Sequence, residues 1–283
     1  MDLTLIADIR YITLTSFDYN IIRSITKDKI LLQVDRELTE SGKNLPRRLW
    51  KESVVLTDTE EGIGLWSGRE FPVIAWSHEK NKGEKLTGTP WLILSLEALS
   101  CDYMKEVWHR CHGIPLEILR TKRCVLRELS MEDLPDLICL DADQDQASPG
   151  RFFKGEGSEE DYLSSYIRWQ YPFFGYGMYA AFEKEEGEFL GIAGFSGIRE
   201  DPDPVKWTRV VFGKDPSGQE GLEIGYAVKK SARQKGYAKE WIRELTGYAH
   251  RVLNMDTIIA RIPSGHRASI AAAVSAGGKL LLL

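Results

Sequence analysis

One stretch of this chain restricts its fold more than any other: a strand pattern, a basic loop with a glycine, and a long amphipathic helix. Leu222–Val228 alternates Leu222, Ile224, Tyr226 and Val228 with Glu223, Gly225 and Ala227, the period-two pattern of a strand with two unlike faces. Ser231-Ala232-Arg233-Gln234-Lys235-Gly236-Tyr237-Ala238-Lys239-Glu240 follows, and apolar residues then fall at 241, 242, 245, 248, 249, 252 and 253. That spacing predicts a helix that buries Trp241, Leu245, Tyr248 and Val252. A loop entering a helix offers N–H groups with no intrahelical acceptor, and the helix dipole favours an anion there. Gly236 can take a positive φ and lets a phosphate approach the backbone, while Arg233 and Lys235 add positive charge. A solvated turn would use the same glycine, so the neighbouring strands must decide between the two readings. On the strand, Glu223 shares its face with two tiny residues, which places a carboxylate beside open space.

The surrounding sequence supplies the rest of an α/β unit. Arg123–Leu129 alternates as a strand, and Ser130 with Asp133 three residues on caps a helix. Glu159–Trp169 reads as a second helix, broken by Tyr171-Pro172. Met178–Glu183 and Phe189–Ile198 are strands around a turn at Glu185-Glu186-Gly187, and Arg199–Gly221 reads as a long polar loop holding Pro202, Pro204 and Pro216. After the long helix come a strand at Thr257–Arg261, then Pro263-Ser264-Gly265-His266, then an Ala-rich helix from Arg267 to Ala276.

This order resembles the GNAT superfamily of acetyl-CoA-dependent N-acetyltransferases, most closely the branch with ribosomal-protein N-terminal acetyltransferases. The residues that carry the resemblance are Thr121-Lys122-Arg123, Leu126-Arg127-Glu128, Leu222-Glu223-Ile224-Gly225-Tyr226 and Arg233-Gln234-Lys235-Gly236-Tyr237-Ala238. The resemblance implies a mixed, mostly antiparallel sheet flanked by helices over residues 119–283. It implies acetyl-CoA as co-substrate and no metal. The backbone of Tyr226, Ala227 and Val228 would pair with the pantetheine arm, the residues from Arg233 to Ala238 would hold the pyrophosphate, and His266 would border the same site. A splay between Leu222–Val228 and Thr257–Arg261 would open a cleft for the thioester, with the N–H near Tyr226 or Ala227 polarising its carbonyl. Glu223 is the candidate base, directly or through water, or else a strand carboxylate paired with an arginine.

The last helix departs from that family. His266 replaces the usual asparagine, Ala273 stands where many members carry a tyrosine acid, and Gly277-Gly278 replaces Gly-Phe. Ser269 is the hydroxyl left near the expected thiol, either as the acid or as a small helix residue. Lys279–Leu283 can form one strand, but the usual following strand has no residues left, so the domain is expected to lack it. A second copy of the chain covering that sheet edge would meet the need.

Residues 1–118 read as a separate, small Rossmann-like α/β domain. Leu3–Ile6, Ile30–Val34, Val54–Leu56, Phe71–Trp76 and Trp91–Leu94 have strand length, a helix starts at Thr57–Glu61, and another runs from Ser100 to Cys111. This segment resembles the degenerate haloacid-dehalogenase-like piece that precedes some acetyltransferase domains. Neither Asp8-Ile9-Arg10 nor Asp58-Thr59-Glu60 supplies the Asp-x-Asp that a phosphatase of that family needs. Cys101, His109, Cys111 and His112 lack the paired spacing of a zinc site and read as ordinary helix residues.

Composition removes other classes. The 283 residues carry a net charge of −5, with no basic arm for nucleic acid, and no apolar run reaches the roughly 20 residues of a membrane helix. The N-terminus is not a secretory signal, and four irregularly spaced cysteines read as free thiols, so a cytoplasmic location is expected. The function implied is N-acetyl transfer to a primary amine, on a protein N-terminus or a small molecule. A non-catalytic acyl-CoA-binding or regulatory protein is the alternative.

Overall fold

The structure is a computed structural model that describes residues 3–10, 20, 30–31, 52–143, 151–153, 157–198, 207–214 and 221–281. The chain divides into two compact units, Met1–Ile114 and Pro115–Leu283. In the first unit, β1 (Thr4–Asp8), β2 (Ile30–Leu31), β3 (Ser53–Thr57), β4 (Val73–Trp76) and β5 (Leu92–Ile93) form a parallel sheet in the order β2-β1-β3-β4-β5. Parallel strands are covered on both faces and therefore read as unbroken apolar runs. All five residues of β3 are buried for this reason. Val54, Leu56 and Ile74 pack with Met104 and Val107 of α2 (Cys101–Cys111), whereas Val55, Val73 and Ala75 pack with Ile63 and Trp66 of α1 (Glu60–Ser67). Thr59 caps α1 by accepting from the Gly62 N–H at 2.9 Å. The remainder of the strand expected at Ile30–Val34 lies outside the described residues.

In doubly wound sheets, ligands bind beyond the strand ends at the switch point, which here falls between β1 and β3. At that position the described polar side chains bond to one another. Asp8 Oδ2 accepts from Trp66 Nε1 at 2.8 Å, and Asp58 accepts from the Arg10 N–H at 2.8 Å. His78 Nε2 lies 3.2 Å from Asp58 Oδ2, and Asn81 Nδ2 donates to the carbonyls of Asp58 and Trp76.

The second unit is an eight-stranded sheet in the order β13-β10-β12-β11-β9-β8-β7-β6. Its strands are β6 (Glu117–Arg120), β7 (Cys124–Glu128), β8 (Met178–Glu183), β9 (Phe189–Gly197), β10 (Trp207–Gly213), β11 (Leu222–Val228), β12 (Thr257–Pro263) and β13 (Lys279–Leu281). Every pairing is antiparallel except β11 with β12. The helices are α3 (Leu134–Ala142), α4 (Glu159–Phe174), α5 (Tyr237–Arg251) and α6 (Arg267–Ser275). Trp241, Ile242, Leu245 and Ala249 of α5 are fully buried against the sheet. Each of the larger three contributes about 1.5–3 kcal/mol by leaving water.

Several expectations are corrected. The stretch 199–221 is not all loop: Trp207–Gly213 is β10, whose β-branched and aromatic residues fit a strand between two others. Pro172 does not break α4, which runs on to Phe174 and ends at Gly175 in the left-handed conformation. The final turn closes through Gly175 N–H to Tyr171 O, and the Tyr171 hydroxyl accepts from Leu129 N–H and donates to Met178 O. Val252 is 58% exposed rather than buried, because α5 stops at Arg251.

β10 also sets the C-terminal edge of the sheet. It stands between β12 and β13, so those two strands are joined through a segment that precedes both. β13 is an edge strand, with Leu280 half exposed. Gly278 permits this arrangement: a Cβ there would lie 2.3 Å from Val210 Cγ1 and 2.8 Å from Phe212 Cζ. Gly278→Val is therefore expected to destabilise the protein by about 1–3 kcal/mol through overpacking. A thermal melt with an unchanged midpoint would show that β10 and the end of α6 can separate freely.

Candidate active site

β11 and β12 pair only at Leu222↔Ile258 and Glu223↔Ile259, whereas β11 pairs with β9 along its whole length, Leu222↔Gly197 to Val228↔Gly191. The divergence has a direct effect on burial. Leu222 and Ile224 are buried as the alternation predicts, but Tyr226 and Val228 are only half-buried, because the neighbouring strand has moved away.

Two cavities meet at the divergence. The first, about 700 Å³, is lined by Tyr226–Val228, by Arg233, Gln234 and Gly236–Lys239, and by His266, Ser269 and other residues of α6. The second, about 540 Å³, is lined by Glu223, Gly225, Arg261, Trp207, Tyr162, Tyr166, Tyr176 and Phe174 among others. Tyr226 lines both.

The loop before α5 has the geometry of an anion cradle. Gln234 has φ +63° and Gly236 has φ +81°, so two left-handed residues lie close together, an arrangement that turns successive N–H groups toward one side. Gly236 is the N-cap of α5, and the helix dipole adds to the N–H groups of the first turn. An acyl-CoA pyrophosphate fits this donor set. The arginine is less free than its charge suggests: Arg233 Nε donates to Val228 O at 3.0 Å and Nη2 to Asp143 O at 3.4 Å, which tie the loop to the end of β11. Lys235 lines a different cavity, beside Glu183, Glu185, Glu186 and Glu188.

What holds the loop in place is a carboxylate that sequence reasoning missed. Glu240 Oε1 accepts from the Thr121 hydroxyl at 2.6 Å and from the Arg123 N–H at 2.8 Å, and Oε2 accepts from Arg123 Nε at 2.8 Å. Arg123 also donates through Nη1 to Lys235 O at 2.9 Å and stacks over the Tyr237 ring, 4.2 Å from its centroid. Burial opposes ionisation of Glu240, but the Thr121 hydroxyl and the Arg123 amide and guanidinium outweigh it, holding the carboxyl below its usual range. Thr121-Lys122-Arg123 carried the family resemblance, yet nothing local links it to a glutamate 117 residues away.

At the other wall, His266 caps α6 through Nδ1, which accepts from Ser269 N–H at 3.3 Å. The Tyr226 hydroxyl donates to Ser269 O at 3.0 Å. Burial pushes the Tyr226 phenol above its usual range, partly offset by the bond to Ser269, so it remains protonated at neutral pH. Ala273 is fully buried and brings no functional group to the cleft. On the acceptor side, Glu223 Oε2 lies 3.4 Å from Arg261 Nη2, and the Arg261 guanidinium stacks over Trp207 at 5.1 Å. The arginine partner expected as one alternative for Glu223 is thus present. Trp207 lies in the stretch Arg199–Gly221, which was expected to border the acceptor as a loop; what was missed is its strand character, although Trp207-Thr208-Arg209-Val210-Val211-Phe212 carries a β-rich signal.

The family described as acetyltransferase (GNAT) domain matches residues 123–279, more than half of the chain, and the chain belongs to that family, whose members are acyl-CoA-dependent acetyltransferases. Similar solved structures include an acetyltransferase from Agrobacterium tumefaciens str. C58 (24% identity, 58% of this chain and 84% of that one, TM-score 0.43). Another is a GnaT-family acetyltransferase from Bordetella pertussis (22% identity, 57% and 88%, TM-score 0.45). A third is RimL, a ribosomal α-N-protein acetyltransferase, in complex with coenzyme A (17% identity, 57% and 83%, TM-score 0.43). No curated protein matches the chain. Among the described residues, no cluster of histidine, cysteine or acidic side chains is placed to hold a metal, and no helix is long and apolar enough to cross a membrane.

Two outcomes are expected. Gly236→Asp puts a side chain on a left-handed residue and a carboxylate at the cradle, and should weaken acetyl-CoA binding at least tenfold by calorimetry; unchanged affinity would remove the loop from the site. Because the Glu240 carboxyl is depressed, its contribution to stability is complete above its ordinary value of 4.5 and is lost as pH falls through the lower folded value. Glu240→Gln should therefore melt lower than wild type at pH 7, with the gap narrowing below about pH 4.5. A gap that does not change with pH would assign the effect to packing alone.

Proposed function

We propose that residues 119–283 transfer the acetyl group of acetyl-CoA to a primary amine. The observation that carries this reading is the meeting of two cavities at Tyr226, one beside the anion cradle of α5 and the other holding Glu223. Tyr226, Ala227 and Val228 offer backbone to the pantetheine arm. Gln234 to Ala238 offer N–H groups to the pyrophosphate, Arg233 fixes the loop behind them, and His266 borders the cleft. Bound acetyl-CoA supplies the acetyl group as an activated thioester.

An amine of ordinary basicity, near 10, arrives protonated at neutral pH, so a base must take up a proton. Glu223 accepts it, directly or through a water, with Arg261 fixing the orientation of the carboxylate. Two hydroxyls stand at the junction for the departing sulfur. Ser269 lines the first cavity, and the Tyr226 phenol, protonated and shared by both cavities, is the stronger donor in position. The N–H groups near Tyr226 and Ala227 polarise the carbonyl. Four free cysteines fit a reducing compartment, and we place the reaction in the cytoplasm.

A second reading, a non-catalytic acyl-CoA-binding protein, is supported by the apolar Ala273 and by the engagement of Glu223 with Arg261. Measuring CoA release from acetyl-CoA across a panel of amines separates the two. Binding without release above background would favour the second reading. For an active enzyme, Glu223→Gln should lower kcat by about 10²–10⁴-fold, the usual span of a general base, with little change in acetyl-CoA affinity. A variant that keeps the acid limb of the wild-type pH–rate profile would exclude Glu223 as the base.

A further inference from the structure

We propose that the acceptor is a monoamine carried on an aromatic body rather than a polyamine or a peptide N-terminus. This rests on the reading that the Glu223 cavity receives the amine.

The walls of that cavity come from three separate elements. α4 gives Tyr166 and Phe174, the turn after it gives Tyr176, and β10 gives Trp207. Tyr166 is anchored from behind, its hydroxyl accepting from Met178 N–H at 2.6 Å. Trp207 is held flat on the Arg261 guanidinium, 5.1 Å from ring centroid to carbon. Rings fixed in this way lose little freedom when a second ring packs against them, which is the condition for tight aromatic recognition. The cavity volume of about 540 Å³ lies in the range that encloses a small molecule.

Among the described residues, charge favours a single amine over a polycation. Among the described residues that line the cavity, Glu223 is the sole carboxylate, and Arg261 already engages it at 3.4 Å. Arg151 adds a second guanidinium to the lining, 3.8 Å from the buried Asp141 carboxylate. A ligand with several ammonium groups would find, among the described lining residues, one carboxylate already engaged by an arginine and no second one for its further charges. A single amine that loses its proton at Glu223 leaves no such charge, and its ring finds the aromatic walls. A peptide N-terminus would bring amide groups in place of a ring and leave the faces of Tyr166, Tyr176 and Trp207 without an aromatic partner.

The test uses the full chain with acetyl-CoA and compares 2-phenylethylamine, tyramine and tryptamine with spermidine and with a tetrapeptide bearing a free N-terminus, following CoA release. The aromatic amines should exceed both others in kcat/KM by tenfold or more. Trp207→Ala should cut kcat/KM for tryptamine at least tenfold with unchanged acetyl-CoA affinity. Phe174→Ala, at an exposed position that the fold does not need, should give a smaller loss of the same kind. A preference for spermidine or for the peptide overturns the proposal while leaving acetyl transfer intact. Absence of release with every amine overturns the enzyme reading itself. In that case, tryptamine binding in the presence of CoA, read by calorimetry and lost in Phe174→Ala, would still support the aromatic cavity, and no binding would overturn it.

Discussion

Parallel pairing between β11 and β12 ends after Glu223 and Ile259, and the second unit is arranged around that loss. Buried backbone groups require partners, so a strand that leaves its neighbour must offer its edge to something else. β11 stays rigid because β9 pairs with its other edge throughout. The opened edge therefore faces a gap with fixed walls: α5 and its loop on one side, α6 on the other, and the aromatic cavity beyond. Tyr226 sits where these meet, and its bond to Ser269 O joins β11 to α6 across the gap.

The loop before α5 depends on contacts distant in sequence. Its glycine supplies the conformation, but Glu240 and Arg123 supply the position, by clamping the first turn of α5 to the turn between β6 and β7. Arg233 then pulls the other end toward Val228 and Asp143. The cradle is thus assembled from both sides by arginines that bind carbonyls and a carboxylate, while the N–H groups remain for the ligand.

The parts readable from sequence are those with a local period. β11, α5 and the cap formed by Ser130 and Asp133 follow from alternation, helical spacing and side chains that serve neighbouring N–H groups. Pro172 shows the limit of breaker signals: three residues from a helix end it removes one hydrogen bond, and buried Tyr171 holds the turn. β10 escaped because the prolines and glycines around it outweighed six residues of strand character. The Glu240–Arg123 clamp and the Arg261–Trp207 stack left no trace in one dimension, since each joins segments that only the sheet brings together. In the first unit the strands were legible for the same local reasons, while the ring of bonds around Asp58 was not, because it joins the segments after three separate strands.

β10 carries one more consequence, in the order of events as the chain folds. Val210 pairs with Ala260, fifty residues further on, and with Leu280, seventy residues further on. Each loop must close before its own pairing is rewarded, and non-local contacts of this kind slow folding. Among the described residues β13 pairs with β10 alone, so the C-terminal segment cannot dock until β10 is already in place. α6 precedes β13 directly, and with it comes one wall of the cleft. Competence to bind ligand would then be the last property the domain acquires, and the β12–β10–β13 edge the first part to reopen under stress.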